Sequence, residues 1–150
     1  MPNGNDMAPV EKITQLLGGR RVLGKSLHSP PDLIPLLREG LPYEALEAVT
    51  NMLGISIEAA ATWLRLPRRT LARHKEQNRL DRQESERVVR LADIAARTIA
   101  LLGSVQHARE WLISDNRALG GAAPITLLDT DVGTRVVEDV LCRIDHGVYS

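Results

Sequence analysis

The stretch from Gly19 to Ser26 has the residue types and spacing of a phosphate-binding loop. Its letters, Gly-Arg-Arg-Val-Leu-Gly-Lys-Ser, satisfy the pattern G-x-x-x-x-G-K-[ST]. Such a loop needs a buried strand before it and a helix after it, because backbone amides and the helix dipole must converge on phosphate. Here the preceding residues have helical spacing, and Ser29-Pro30-Pro31 prevents a following helix of useful length. We therefore interpret the glycines as turn residues.

A basic cluster between residues 65 and 79 has the chemistry to bind an anionic polymer. Six basic residues stand there against Glu76 alone, although the formal net charge of the chain is zero. The segment after Trp111 carries more acidic than basic residues, which offsets the positive charge of this cluster. Arginine forks suit guanine edges and phosphate oxygens. The side chains expected to contact DNA are Arg68, Arg69, Thr70 and Arg73, with Lys75 and Arg79 placed for flanking phosphates. The alternatives are a solvated basic face or contacts with an acidic protein.

The remaining polar residues do not form a catalytic set. The four histidines, at positions 28, 74, 107 and 146, share no metal-ligand spacing, and Cys142 alone cannot complete a structural zinc site. The paired carboxylates Asp129 with Asp131, and Glu138 with Asp139, are better explained as helix caps or exposed charges. We expect no enzymatic activity, no cofactor and no metal site.

The composition favours a fold of closely packed helices and a cytoplasmic location for the protein. The chain has 150 residues, 43% of them hydrophobic, but contains no Phe and few other aromatics, which strands usually require. A single cysteine allows no internal disulfide and fits a reducing compartment. There is no apolar run of about 18 residues that could span a membrane, and the N-terminus does not resemble a secretory signal. We expect an all-α protein, and we expect residues 1–6 to be loosely held.

The basic cluster falls on the second helix of a predicted helix-turn-helix. Ser56 can cap the first helix, which must stop before Leu66-Pro67, and Pro67 opens the second helix, from Arg68 to about Gln77. The apolar positions of the motif are Ala60, Leu64, Leu66 and Leu71, with the small Ala61 where the helices cross. Two positions depart from the motif: Arg65 stands where Gly is usual, and His74 stands where an apolar residue is usual. A dimer reading two half-sites is expected.

Apolar spacing and capping residues predict the other helices. One carries Val10, Ile13, Leu16 and Leu17, and others run from Ser29 to Gly40, from about Pro42 to Gly54 and from about Asp81 to Gly103. Ser104 can cap the next helix, and a short one follows Pro124. Thr130 or Asp131 caps the last helix, whose predicted inward face is Val132, Val136, Val137, Val140, Leu141 and Ile144.

The last forty-odd residues carry the most specific pattern in the chain. They contain Ala-Arg-Glu-Trp-Leu from Ala108, then Asn116-Arg117-Ala118-Leu119-Gly120-Gly121, then Pro124-Ile125-Thr126-Leu127-Leu128-Asp129-Thr130, and then Arg143-Ile144-Asp145-His146-Gly147. This order of motifs resembles the toxin-binding domain of Xre/MbcA/ParS-type antitoxins. The resemblance extends over the whole chain, because members of this family carry a helix-turn-helix before that domain.

The resemblance implies a Cro/Xre-like helix-turn-helix bundle over residues 1–103 and a small helical toxin-binding domain over residues 104–150. It implies a partner with a RES domain that degrades NAD, whose active-site entrance the antitoxin covers. It also implies autorepression at the promoter DNA, as a homodimer or a larger hetero-oligomer with the toxin. The toxin-contacting role would fall on Asn116, Arg117, Leu119, Gly120, Gly121, Asp145, His146, Gly147, Val148 and Tyr149.

Two other functions remain open at this point. The chain could be a stand-alone dimeric regulator whose C-terminal third only dimerises. It could also be a protein-interaction module that has lost DNA binding, since Arg65 and His74 depart from the motif.

Overall fold

The computed structural model describes residues 7–147, and over this range the regular elements are helical, without a strand. The predicted all-α fold is confirmed. The helices are α1 (Val10–Leu16), α2 (Gly19–Leu23), α3 (Leu33–Glu39), α4 (Tyr43–Leu53), α5 (Ile57–Trp63), α6 (Arg68–Gln77), α7 (Arg82–Leu102), α8 (Val105–Ile113) and α9 (Asp131–Asp145). Short 3₁₀ turns cover Pro30–Asp32, Arg117–Leu119 and Pro124–Leu127. None of the helices within residues 7–147 is both long and apolar enough to cross a membrane.

Hydrogen bonds from capping side chains mark the beginnings of α5, α8 and α9. The hydroxyl groups of Ser56, Ser104 and Thr130 accept hydrogen bonds from the backbone amides of Ala59, His107 and Gly133 at 3.0, 3.1 and 2.9 Å. Each of these contacts satisfies an amide that has no partner within its own helix. The predicted caps at these three positions are confirmed.

The 3₁₀ turn before α3 begins with a reciprocal cap. The Asp32 carboxylate accepts from the amides of His28 and Ser29 at 2.8 and 3.1 Å. These backbone hydrogen bonds hold the pKa of Asp32 below its ordinary value of 3.8. The capping role predicted for Ser29 is confirmed, because the turn has a capping box between Ser29 and Asp32.

Helix α7 is the centre of the fold. It contacts α1, α3, α4, α8 and α9, and its residues Leu91 and Ile94 are fully buried. One apolar cluster extends from Ala8 to Leu141 and takes in both ends of α7. The core is therefore continuous from the N-terminal helices to α9.

Helices α5 and α6 form the predicted helix-turn-helix. All four apolar positions of the motif, Ala60, Leu64, Leu66 and Leu71, are buried, as is Ala61 at the crossing. The phosphate-loop pattern has a different structure here, because its residues Gly19–Leu23 form α2, which follows α1 directly. Gly24 ends α2 with a φ of 78°, so its interpretation as a turn residue is confirmed, whereas Gly19, with a φ of 74°, is the first residue of the helix.

The predicted inward face of α9 is wrong at two positions. Val132 and Val136 are 71% and 40% exposed, whereas Val137, Val140 and Leu141 are buried. Val137 is in the middle of the buried side, and Val136 and Val132 are rotated from it by about 100° and about 140° around the helix. The valines therefore occupy more than one side of α9, which packs through the side that Thr134, Val137 and Leu141 share.

Candidate functional site

The basic cluster forms an exposed surface on α6. Leu71 and His74 hold the inner side of the helix, and Arg69, Arg73 and Gln77 follow one another at four-residue spacing on the outer side, where all three are exposed. Arg68 is exposed beside them. The structure therefore places three of the predicted DNA contacts on accessible parts of one helix. Gln77 was not among the residues predicted from the sequence, although it follows Arg73 at the same four-residue spacing.

The N-terminus of α6 adds backbone donors to this surface. Its N-cap is Pro67, which makes no side-chain hydrogen bond to the first turn. The partly exposed Thr70 directs its hydroxyl back to the Pro67 carbonyl at 3.0 Å. The first amides of α6 thus lack a side-chain acceptor, and the helix dipole there favours an anion.

The two flanking cations differ from each other in their contacts. Lys75 is exposed in the last turn of α6. Arg79 is exposed beyond the helix, and its guanidinium donates to the Glu39 carbonyl at the end of α3, at 2.9 Å. Arg79 therefore has a structural contact with the end of α3 in addition to its positive charge.

The two departures from the motif both have structural explanations. Arg65 has a φ of 55°, the left-handed conformation that makes Gly usual at this turn. Its guanidinium lies 3.3 Å from the Asp129 carboxylate, and Arg87 donates to its carbonyl at 2.9 Å. His74 is buried, with Nδ1 2.7 Å from Glu84 Oε1. Neither residue disrupts the helix-turn-helix.

The first group of predicted toxin contacts lies in a tight turn between α8 and α9. The Asn116 side-chain oxygen accepts a hydrogen bond from the Ala118 amide at 2.9 Å. The backbone carbonyl of Asn116 accepts from the Leu119 and Gly121 amides at 3.0 and 2.9 Å. Gly120 and Gly121 have φ of 70° and 91°, which other residues rarely adopt. Leu119 packs against the core. Arg117 is the side chain that this turn presents to solvent.

The second group lies at the end of α9. Asp145, His146 and Gly147 are exposed, and the ring nitrogen Nδ1 of His146 lies 2.7 Å from the Cys142 carbonyl. The turn Arg117–Leu119 contacts α9, so the two groups belong to the same part of the fold. Val148 and Tyr149 lie outside the described residues.

A polar junction joins α7 to the start of α9 and to the segment just before it. Arg90 donates to the Leu128 carbonyl at 2.9 Å and pairs with the Asp131 carboxylate. A cavity of about 230 Å³ opens here, and its lining residues are Gln83, Glu86, Arg87, Arg90, Asp129 and Asp131. Sequence patterns missed this junction because its charged groups are about 40 residues apart in the chain and meet only after folding.

These features define a helix-turn-helix protein with a helical C-terminal region packed on the same long helix. Residues 32–93 match the family model of the antitoxin Xre-like helix-turn-helix domain, and residues 97–147 match that of the antitoxin Xre/MbcA/ParS C-terminal toxin-binding domain.

Named relatives agree with both matches. An Antitoxin Xre of Photorhabdus laumondii is 28% identical over 135 residues, which are 87% of this chain and 89% of the relative. An Antitoxin Xre of Pseudomonas putida is 35% identical over 83 residues, covering 55% and 52%. The Prs ADP-ribosylating antitoxin of a Sphingobium species is 30% identical over 132 residues, covering 81% and 83%. The chain belongs to the Xre family of antitoxins and has a toxin-binding domain after its helix-turn-helix.

Proposed function

We propose that this chain neutralises an NAD-consuming RES-domain toxin by covering its active-site entrance, and that it represses its own promoter as a homodimer or as a toxin complex. It acts by binding and not by catalysis. One observation carries the proposal: two regions share one continuous core. The first is the helix-turn-helix with the arginine-bearing α6, and the second is the toxin-binding domain with its tight turn and the end of α9.

The DNA part of the proposal assigns distinct contacts to α6. Arg69, Arg73 and Gln77 read base edges in the major groove, since arginine pairs with guanine and glutamine pairs with adenine. Arg68, Thr70 and the free amides of the first turn hold a phosphate, and Lys75 and Arg79 contact flanking phosphates. Two such helices in a homodimer would read half-sites about 34 Å apart.

The DNA part is tested on the promoter fragment upstream of the coding sequence. The double variant Arg69→Ala with Arg73→Ala should weaken binding at least tenfold, because each lost base contact costs about 1–3 kcal/mol. The variant Arg68→Ala should reduce the slope of log affinity against log salt by about one. The matched control is Lys12→Ala with Arg21→Ala, which removes two exposed cations outside α6. Equal effects of the control and the α6 variants would contradict this assignment.

The toxin part of the proposal rests on the exposed cation of Arg117 and the exposed carboxylate of Asp145 at the end of α9. The Asn116 turn fixes the backbone from which Arg117 projects, and α9 ends in the exposed residues Asp145 and His146. Acidic groups are suited to the cationic groups with which a toxin would hold the phosphates of NAD. Gly147 lies at that end, and we propose it as a further toxin contact together with the next two residues of the sequence, Val148 and Tyr149. The name of the Sphingobium relative associates it with ADP-ribosylation, and transfer of ADP-ribose consumes NAD.

The toxin part is tested by co-expression with the protein of the adjacent open reading frame, for which the proposal requires a RES domain. Deletion of residues 148–150 combined with Arg117→Ala should abolish protection, so that cellular NAD falls and growth stops. The variant Arg20→Ala, at an exposed position on α2, serves as the control and should protect fully. Full protection by the deletion variant would reject occlusion through these residues. Absence of protection by the unaltered chain would favour a stand-alone regulator.

A further inference from the structure

Three side chains that commonly bind metals converge where α6 ends and α7 begins. His74 lies in the last turn of α6, Asp81 is the N-cap of α7, and Glu84 is the third residue of α7. One ligand atom from each of the three residues lies within 4.8 Å of the other two. The cluster therefore joins the arginine-bearing helix to the central helix of the fold.

Two of these groups are buried, and one of them has an unsatisfied polar atom. The Glu84 side chain is 2% exposed and that of His74 is 11% exposed. Glu84 Oε2 has no hydrogen-bond partner among the described residues, whereas His74 Nδ1 pairs with the other Glu84 oxygen, Oε1, at 2.7 Å. A buried carboxylate oxygen without a partner is costly, and an ion is one of the few groups that can satisfy it.

Helix capping accounts for only part of this arrangement. Asp81 Oδ1 accepts from the Glu84 amide at 2.7 Å, and Glu84 Oε1 accepts from the Asp81 amide at 2.8 Å. This capping box occupies one oxygen of each carboxylate and fixes the directions of both side chains. The second oxygen of each carboxylate remains as a ligand, and the imidazole of His74 would exchange its contact with Glu84 Oε1 for the ion.

We propose that His74, Asp81 and Glu84 bind a divalent transition-metal ion of the zinc type. One imidazole nitrogen and two carboxylate oxygens form a donor set that zinc accepts, and water would complete four-fold coordination. Asp81 is exposed, so the ion can reach the site from solvent. The spacing of histidines and cysteine alone does not indicate this site, because two of its three ligands are carboxylates from the next helix.

The ion would fix α6 against α7. His74 lies between Arg73 and Lys75, so a metal bond to its ring would restrain the segment that carries the exposed cations. The inference does not depend on the identity of a toxin or of an operator, because it concerns the affinity of the folded chain for a metal.

The experiment is a thermal unfolding series of the full chain with zinc chloride, with magnesium chloride for comparison. It uses the Cys142→Ser background, because Cys142 Sγ lies 3.6 Å from His146 Nδ1 and the two could bind zinc separately. Zinc at about a hundredfold excess over its dissociation constant should raise the melting temperature by about 5–10 °C. Magnesium should not, because it prefers an octahedral set of oxygen ligands.

The variant Glu84→Gln distinguishes a metal site from a simple ion pair. Glutamine keeps the capping-box acceptor but loses the anionic oxygen, so the variant should remain folded while its zinc-induced shift falls below about 2 °C. Calorimetry should show one zinc per chain before the substitution and weak or no binding after it. Absence of a zinc-induced shift in the Cys142→Ser background, or an equal shift in Glu84→Gln, would overturn the proposal.

Discussion

At the scale of single residues, Gly133 shows a packing requirement that the sequence does not reveal. It lies in the first turn of α9 with an ordinary helical backbone, so conformational freedom does not explain it. A Cβ atom at this position would lie 2.1 Å from the Leu127 carbonyl oxygen and 3.0 Å from Thr130 Oγ1. Glycine therefore allows α9 to start directly against the preceding 3₁₀ turn.

We predict that Gly133→Ala lowers the free energy of unfolding by about 1–3 kcal/mol, because backbone must move to admit the methyl group. Urea denaturation followed by circular dichroism measures the change. Arg135→Ala, an exposed substitution one half-turn later in α9, should change stability by less than about 0.5 kcal/mol. A Gly133→Ala variant as stable as the unsubstituted chain would show that this close approach is relaxed in solution.

At the scale of elements, the turn between α5 and α6 combines a strained residue with a long-range ion pair. Arg65 adopts a φ of 55°, which costs a side-chain-bearing residue about 1 kcal/mol. Its guanidinium is 79% exposed, so screening by solvent limits its pair with Asp129 to about 0–1 kcal/mol. Backbone conformation and not charge should therefore dominate substitutions here.

We predict that Arg65→Gly is more stable than Arg65→Ala by about 1 kcal/mol, because both remove the ion pair but only glycine removes the strain. The same two substitutions at Lys75, inside α6, should have the opposite order, since alanine is the better helix former by about 1 kcal/mol. Chemical denaturation of the four variants measures both differences. The same order at both positions would contradict the assigned backbone conformation.

The elements themselves could be predicted from local signals, whereas their contacts could not. Ser56, Ser104 and Thr130 marked helix starts correctly, because a cap acts on amides two or three residues away. The predicted buried side of α9 was wrong at two positions, because its valines extend over more than one side of the helix and only packing selects the side that is buried. Arg65 and Asp129 lie in separate loops, and His74 and Glu84 lie in different helices, so no spacing rule indicates either contact.

At the scale of the whole molecule, the two family matches share one helix. The helix-turn-helix match ends at residue 93 and the toxin-binding match begins at residue 97, and both positions lie inside α7. Asp93 and Arg97 pair there at 2.9 Å, and Arg97 also reaches Glu138 of α9. The division after residue 103 remains a prediction, and the shared core indicates that the regions on either side of it unfold together.

The two tryptophans allow this cooperativity to be measured. Trp63 lies in α5 and Trp111 in α8, and both are partly buried against the common core. In single-tryptophan variants, Trp111→Phe and Trp63→Phe, fluorescence should report coincident urea midpoints and slopes for the two regions. Adding Ile94→Ala, at a fully buried position of α7, should destabilise both by the same amount, about 2–5 kcal/mol. Separate midpoints, or a shift in one probe alone, would mean that α7 does not couple the helix-turn-helix to the toxin-binding domain.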